Sequence, residues 1–301
     1  MTDIYVGVTD NAWFRFLRER NPVEVNFWRP SGQPFKALRP GGLFFFKLHA
    51  PERKIAGFGI FVSASVLPLN LAWDAFGENN GVASFEHFQR RIMRFRRDSN
   101  PNPHITNILL AQPVFRFDDG WIAQPEGWAD SIVSGKGFAM DSTVGRTLLR
   151  FAEQADISIG MERPIDADNP YATRLQKVRL GQGTFRVLVT DNYQRRCAIS
   201  GERTLPVLEA AHIKPYAKEG PHDIRNGLLL RSDIHTLFDS GYITVTDDYT
   251  VEVSKRLKEE FENGRDYYRH HGNKLIVLPE QEYAKPMREY LHWHNEQVYR
   301  G

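Results

Sequence analysis

The stretch Leu208-Glu-Ala-Ala-His-Ile-Lys-Pro215, continued by Asn226-Gly-Leu-Leu-Leu-Arg-Ser-Asp-Ile-His235 and Thr236-Leu-Phe-Asp239, decides how the chain reads. Pro206 to Ile213 has an extended pattern, so His212 stands near a strand end, and Asn226 follows a loop containing Gly220, Pro221 and Asp223. Arg231 to Phe238 has helical spacing, and His235 and Asp239, four residues apart, share one helix face. An imidazole and a carboxylate so placed can hold a hard or borderline divalent ion and leave positions open for water and a phosphate oxygen. A neutral imidazole on the adjacent strand is suited to take a proton from attacking water near neutral pH. A cation would stabilise charge on the phosphate and on the leaving 3′-oxygen. Phosphodiester hydrolysis is the chemistry this set of groups suits.

Outward from this core, Tyr242 to Val253 reads as a hairpin around Asp247-Asp248, and Gln182 to Gln194 as a helix. Between Arg174 and Arg231 there are eleven Lys/Arg (174, 177, 179, 186, 195, 196, 203, 214, 218, 225, 231) against five Asp/Glu (191, 202, 209, 219, 223). That local excess of six suits phosphates, although the net charge of the whole chain is only +2. Ser158 to Pro170 loses periodicity and places a linker at 158–173, dividing the 301 residues into a front domain at 1–157 and a rear domain at 174–301. The hydrophobic fraction of 41% and charged fraction of 25% are those of a globular protein and exclude a disordered or fibrous chain. One cysteine, Cys197, excludes an internal disulfide framework and paired-cysteine zinc sites, reads as a buried small hydrophobe, and fits a reducing compartment. No leader pattern opens the chain and no apolar run is long enough to span a bilayer, so the expected location is the cytoplasm with no membrane partner. A Walker-type glycine-lysine loop is absent, which removes ATP from the expected chemistry.

The quoted elements resemble the HNH, or ββα-metal, nucleases, in particular the subgroup with Cys-x-x-(Ser/Thr)-Gly, Glu-Ala-x-His-Ile-x-Pro and Asn-Gly-Leu-Leu-Leu-x-x-Asp-x-His-x-Leu-Phe-Asp-x-Gly, matched here by Cys197 to Gly201, Glu209 to Pro215 and Asn226 to Gly241. Arg179 to Arg186 and Leu291-His-Trp-His294 extend the resemblance to about 175–301. It implies His212 as general base, Asn226 as the residue that orients the base-bearing loop, and His235 and Asp239 as ligands of one divalent cation, Mg2+ first, with Mn2+, Co2+ or Ni2+ as substitutes. Many relatives place a ligand immediately before the base, where this chain has Ala211; Glu209, two residues earlier, is the candidate third ligand, against its reading as a structural ion pair. Lys214, Arg231 and Arg186 are candidate phosphate contacts, whereas His222, His270 and His271 read as solvent-exposed.

The first half is β-dominated: Ile4 to Val8, Val23 to Trp28, Gly41 to His49, Ile55 to Ala64, Ile105 to Leu110 and Val114 to Phe117 read as strands, the last two separated by Pro113. Asn11 to Arg20, Ser84 to Arg97 and Thr143 to Ala155 read as helices; the second carries Phe85, Phe88, Ile92 and Phe95 on one face. Trp28 and Trp73 fall near turn-like segments beside short polar residues, including Asp10 and Asn11. Aromatics with amide edges are what a pocket needs to stack a flipped base and read its hydrogen-bonding edge. Tyr5 to Asp10, Val25 to Pro30, Pro40 to Lys47, Ile55 to Gly59 and Ala72-Trp73 resemble the EVE and YTH-like branch of the PUA superfamily. That resemblance implies an aromatic cage with Trp28 and Trp73 as walls and Asp10 or Asn11 as edge reader.

The fold class expected is α+β, a PUA-like β-barrel with flanking helices joined to a ββα-metal nuclease domain. Together the two resemblances imply a modification-dependent, type IV-like restriction endonuclease of phage defence. Its partner would be double-stranded DNA carrying 5-methylcytosine or 5-hydroxymethylcytosine, bound by base flipping, with a homodimer expected for a double-strand break, or else two independent cuts. The alternative is an HNH effector whose front domain senses a small molecule or nucleotide.

Overall fold

The computed structural model describes residues 2–154, 180–218 and 220–301. It divides into two compact units, Met1–Thr184 and Phe185–Gly301. The linker expected at 158–173 lies outside the described residues.

The front unit is built on one sheet of β1 (Thr2–Thr9), β2 (Glu24–Arg29), β3 (Leu38–Leu48), β4 (Lys54–Pro68), β5 (His104–Phe115), β6 (Ile122–Ala123) and β7 (Gly135–Phe138). The strand order is β2-β5-β4-β3-β1-β7, with β6 paired to β4. β1 and β3 are parallel, with α1 (Asn11–Arg20) and then β2 between them in the chain, and the first turn of α1 is capped by Asp10. The run Leu43 to Leu48 is apolar at nearly every position because both faces of β3 are covered. Phe44, Phe46 and Leu48 pack with Trp13, Phe14 and Leu17 of α1, whereas Phe45 meets Phe58 and, from α4 (Thr143–Glu153), Phe151.

Three departures from the sequence reading have local causes. β5 is a single strand through Pro113: the pairing to β4 shifts register there, Gln112 takes a φ of 48°, and β2 pairs only as far as Ala111, so no ladder bond requires the missing proline N–H. α3 (Phe85–Met93) stops four residues early, and Phe95, expected on its apolar face, is 70% exposed. Trp73 lies within a helix, α2 (Leu69–Phe76), rather than by a turn; eight residues are too few for helical periodicity to stand out.

The rear unit contains most of α5 (Gln182–Asn192), then β8 (Leu208–His212), β9 (Gly227–Arg231), α6 (Ser232–Asp239), β10 (Ile243–Val245), β11 (Val251–Val253), α7 (Arg256–Phe261), α8 (Arg265–Tyr268) and α9 (Arg288–Gln297). β8 and β9 form an antiparallel pair, and α6 begins at the residue after β9. Leu228, Leu229 and Leu230 are all buried, in one core with Phe185, Ile234, Phe238 and Leu291. The class is α+β, as expected.

Candidate active site

The β8–β9 pair fixes the site's geometry. His212 is opposite Gly227 at the end nearest the connecting loop, and Leu208 is opposite Arg231 at the end from which α6 departs. Cys197 is buried, and its Sγ lies 3.3 Å from the backbone N–H groups of Ser200 and Arg231, tying an upstream turn to the start of α6.

Asn226 closes the loop between the strands. Its Oδ1 accepts the Lys214 N–H at 2.9 Å, and its Nδ2 donates to the carbonyls of Lys214 at 2.9 Å and Pro221 at 3.0 Å. The side chain is fully buried, so its amide must find its partners within the protein. No aliphatic residue could satisfy two carbonyls and an N–H together, which is the physical reason for an amide here.

His235 and Asp239 do meet on one face of α6. Nδ1 of His235 lies 2.6 Å from Glu209 Oε2, and its Nε2 lies 3.3 Å from Asp239 Oδ2. An ionised carboxylate only accepts, so His235 turns an Nδ1–H toward Glu209, and Nε2 stands beside an Asp239 oxygen. Partial desolvation holds the Asp239 carboxyl above its ordinary value, and the Glu209 charge adds to this while His235 opposes it. Two electron-rich donors at 3.3 Å match neighbouring corners of a shell with metal–ligand distances of about 2.1 Å, whose edge is roughly 3.0 Å. The donor set therefore fits a divalent cation. Among the described residues no group of three or more His, Cys, Asp or Glu is gathered for a metal, and Glu209 meets the imidazole on the side away from Asp239.

His212 is half-buried, with its ring stacked on Phe185 at 4.0 Å between centroids and 11° between planes. Burial, with smaller contributions from the charges of His222 and His235, pushes its pKa down to about 4, so it is neutral at pH 7. Its Nε2 lies 3.0 Å from Nδ1 of His222. His222 is thus half-buried beside the base candidate, not exposed as its polar Gly-Pro-His-Asp context suggests. The ten-residue separation carries no periodic signal, and only the closed loop brings the rings together.

Among the candidate phosphate contacts, Lys214 Nζ lies 5.8 Å from the centroid of the Trp293 ring. Arg186 is half-buried on α5. Arg231 is held by Asp233 through Nε at 2.6 Å and a second nitrogen at 2.7 Å, with the Tyr267 hydroxyl donating to the same carboxylate at 3.0 Å. Its charge is already matched, so it is a poorer phosphate contact than its sequence position implies. Behind α6, buried His294 stacks on Phe238 at 3.7 Å and contacts the Phe238 carbonyl at 3.1 Å and Thr244 Oγ1 at 2.8 Å.

In the front unit Trp28 and Trp73 both lean on Phe88 of α3, at 5.6 and 6.2 Å between centroids, and both are half-buried. Trp28 Nε1–H donates to the Asn80 carbonyl at 2.9 Å. Asp10 Oδ1 caps α1 through the N–H groups of Ala12 and Trp13, each at 2.8 Å, and takes Arg91 at 2.9 Å. Asn11 is fully engaged: Oδ1 accepts the His49 N–H at 2.8 Å, and Nδ2 reaches the Ala50 carbonyl at 3.3 Å and Glu52 Oε2 at 2.6 Å. Asn11 therefore has no amide edge left for a base, which removes it as an edge reader. Among the described residues, Oδ2 of Asp10 has no hydrogen-bond partner.

Residues 197–246 match the family profile described as HNH endonuclease. The segment covers Cys197, the ββα frame and all four of His212, Asn226, His235 and Asp239, so the rear unit carries an HNH endonuclease domain, a metal-dependent nuclease. No curated protein matches the chain. Among solved structures, the crystal structure of ASCH from Zymomonas mobilis aligns at 12% identity and a TM-score of 0.34, covering 49% of this chain and 95% of that one. A structure described as the modification-dependent TagI restriction endonuclease aligns at 13% identity and a TM-score of 0.29, covering 86% of this chain and 62% of that one. At these scores neither alignment decides fold or function. No described helix is long and apolar enough to cross a membrane.

Proposed function

We propose that this protein is a modification-dependent DNA endonuclease, in which the front unit selects DNA carrying 5-methylcytosine or 5-hydroxymethylcytosine and the HNH domain hydrolyses a phosphodiester bond. The observation that carries the reading is Nε2 of His235 standing 3.3 Å from Asp239 Oδ2 on α6, with neutral His212 at the end of β8. His235 and Asp239 hold one divalent cation, Mg2+, and the bound ion supplies charge neutralisation at the phosphate and leaving oxygen. His212 takes a proton from the attacking water, whose oxygen forms the new bond to phosphorus as the 3′-oxygen leaves. Asn226 keeps the base-bearing loop closed, Lys214 supplies a positive charge for a flanking phosphate, and Glu209 orients His235 from behind. The half-buried pair Trp28 and Trp73, both resting on Phe88, supports a stacking site for an extruded base. One such centre cuts one strand, so a double-strand break takes a dimer or two independent cuts.

The test is digestion of otherwise identical plasmids bearing cytosine, 5-methylcytosine or 5-hydroxymethylcytosine, with Mg2+ and no ATP. The wild-type chain should cut the modified plasmids preferentially, and His212→Ala should bind DNA and fold but not nick. Undiminished nicking by His212→Ala would remove the mechanism. Cutting of plain plasmid only after addition of a nucleotide would replace the modified-base reading with a nucleotide-gated one.

A further inference from the structure

His222 has no part in the chemistry described so far, yet it is the histidine in hydrogen-bonding contact with the base candidate. Its Nδ1 is 3.0 Å from His212 Nε2, the ring centroids are 5.1 Å apart, and the planes are inclined at 56°. Phe185 backs both rings, stacked on His212 and 5.8 Å from His222. The residue before His222 is anchored as well, since the Pro221 carbonyl accepts from Asn226. The pair is therefore held from both sides by groups that belong to the site.

Two neutral imidazoles at this distance share one hydrogen, and the two ways of sharing it differ in consequence. With His222 as donor, the Nε2 lone pair of His212 is occupied and its own hydrogen sits on Nδ1, leaving no nitrogen able to accept a proton. With His212 as donor, Nε2 carries the hydrogen and Nδ1 keeps its lone pair. Among the described residues no protein group bonds that Nδ1.

We propose that His222 is the positioning residue for His212: it accepts the Nε2–H, fixes the ring's tautomer and orientation, and leaves Nδ1 as the basic nitrogen. This rests on the reading of His212 as general base. As the water O–H bond breaks and Nδ1 gains the proton, the electron pair of that bond stays on the oxygen that attacks phosphorus. The resulting imidazolium donates its Nε2–H to His222 in a charge-assisted bond. An orienting carboxylate would do the same work but would also favour a positively charged ring before reaction. An imidazole orients His212 while leaving it neutral.

The experiment is nicking kinetics of the full-length protein on modified plasmid at saturating Mg2+, with melting temperatures for every variant. His222→Ala should lower kcat by roughly 10- to 100-fold, the usual loss for a residue that orients another, with KM for DNA unchanged. His222→Asn, whose amide oxygen can stand near the Nδ1 position, should recover most of that rate. Wild-type kcat in His222→Ala overturns the assignment, as does a raised KM at constant kcat or a His222→Asn variant no better than His222→Ala at equal stability. Full nicking by His212→Ala would instead sink the function on which the assignment depends.

Discussion

Replacing Asn226 with Ala removes one acceptor and two donated hydrogens from a fully buried position. Each bond contributes about 1 kcal/mol net, and three together about 3 kcal/mol. The Lys214 N–H and the carbonyls of Lys214 and Pro221 are left without their partner, so truncation should cost at least that sum. The rear unit spans Phe185–Gly301. For a unit of this size roughly 4 °C of melting temperature accompanies each kcal/mol, which gives a fall of about 12 °C. Asn226→Asp should be no milder, because a second carboxylate oxygen would then face two carbonyl oxygens. Differential scanning calorimetry of the full-length chain reads the stability, and plasmid nicking well below the variant's transition reads the activity. Nicking should fall further than the folded fraction does, because the loop presenting His222 to His212 is released. A melting temperature within about 2 °C of wild type, together with unchanged nicking, would refute the role of this amide as the clamp of the loop.

Two further outcomes follow from the same geometry. Burial holds His294 at about 4 against an ordinary 6.5, so the unfolded chain takes up the proton first; stability is fully present above pH 6.5 and is lost as pH falls from there toward 4, by about 3 kcal/mol in all. Urea unfolding between pH 7 and pH 4 should show this slope, and His294→Gln should flatten it by that share while leaving the share of His212. Glu209→Ala should raise the Mg2+ concentration needed for half-maximal nicking by roughly 10- to 100-fold while kcat at saturating metal is largely kept, because His235 loses the partner that orients it; an unchanged metal titration would show that the 2.6 Å contact does not orient His235.

Local signals were readable without coordinates. Alternation and apolar runs located β1 to β4, and the four-residue spacing of His235 and Asp239 placed both on one helix face, because the pleat and the helix turn are properties of neighbouring residues. Where folding brings distant residues together, the sequence was silent or misleading. Nothing in the order of residues shows that β5 runs on past Pro113, since that depends on where β2 stops pairing. The engagement of Asn11 by the β3–β4 turn is equally invisible, as is the arrival of the Tyr267 hydroxyl at Asp233. His222 shows the same limit most sharply: its neighbours in the chain are polar loop residues, while its neighbours in space are His212 and Phe185. By itself the sequence determined the periodic elements and the identity of the chemical groups. The tertiary structure alone decided which of those groups are already partnered, because hydrogen-bond capacity is consumed by whatever folding places within about 3 Å.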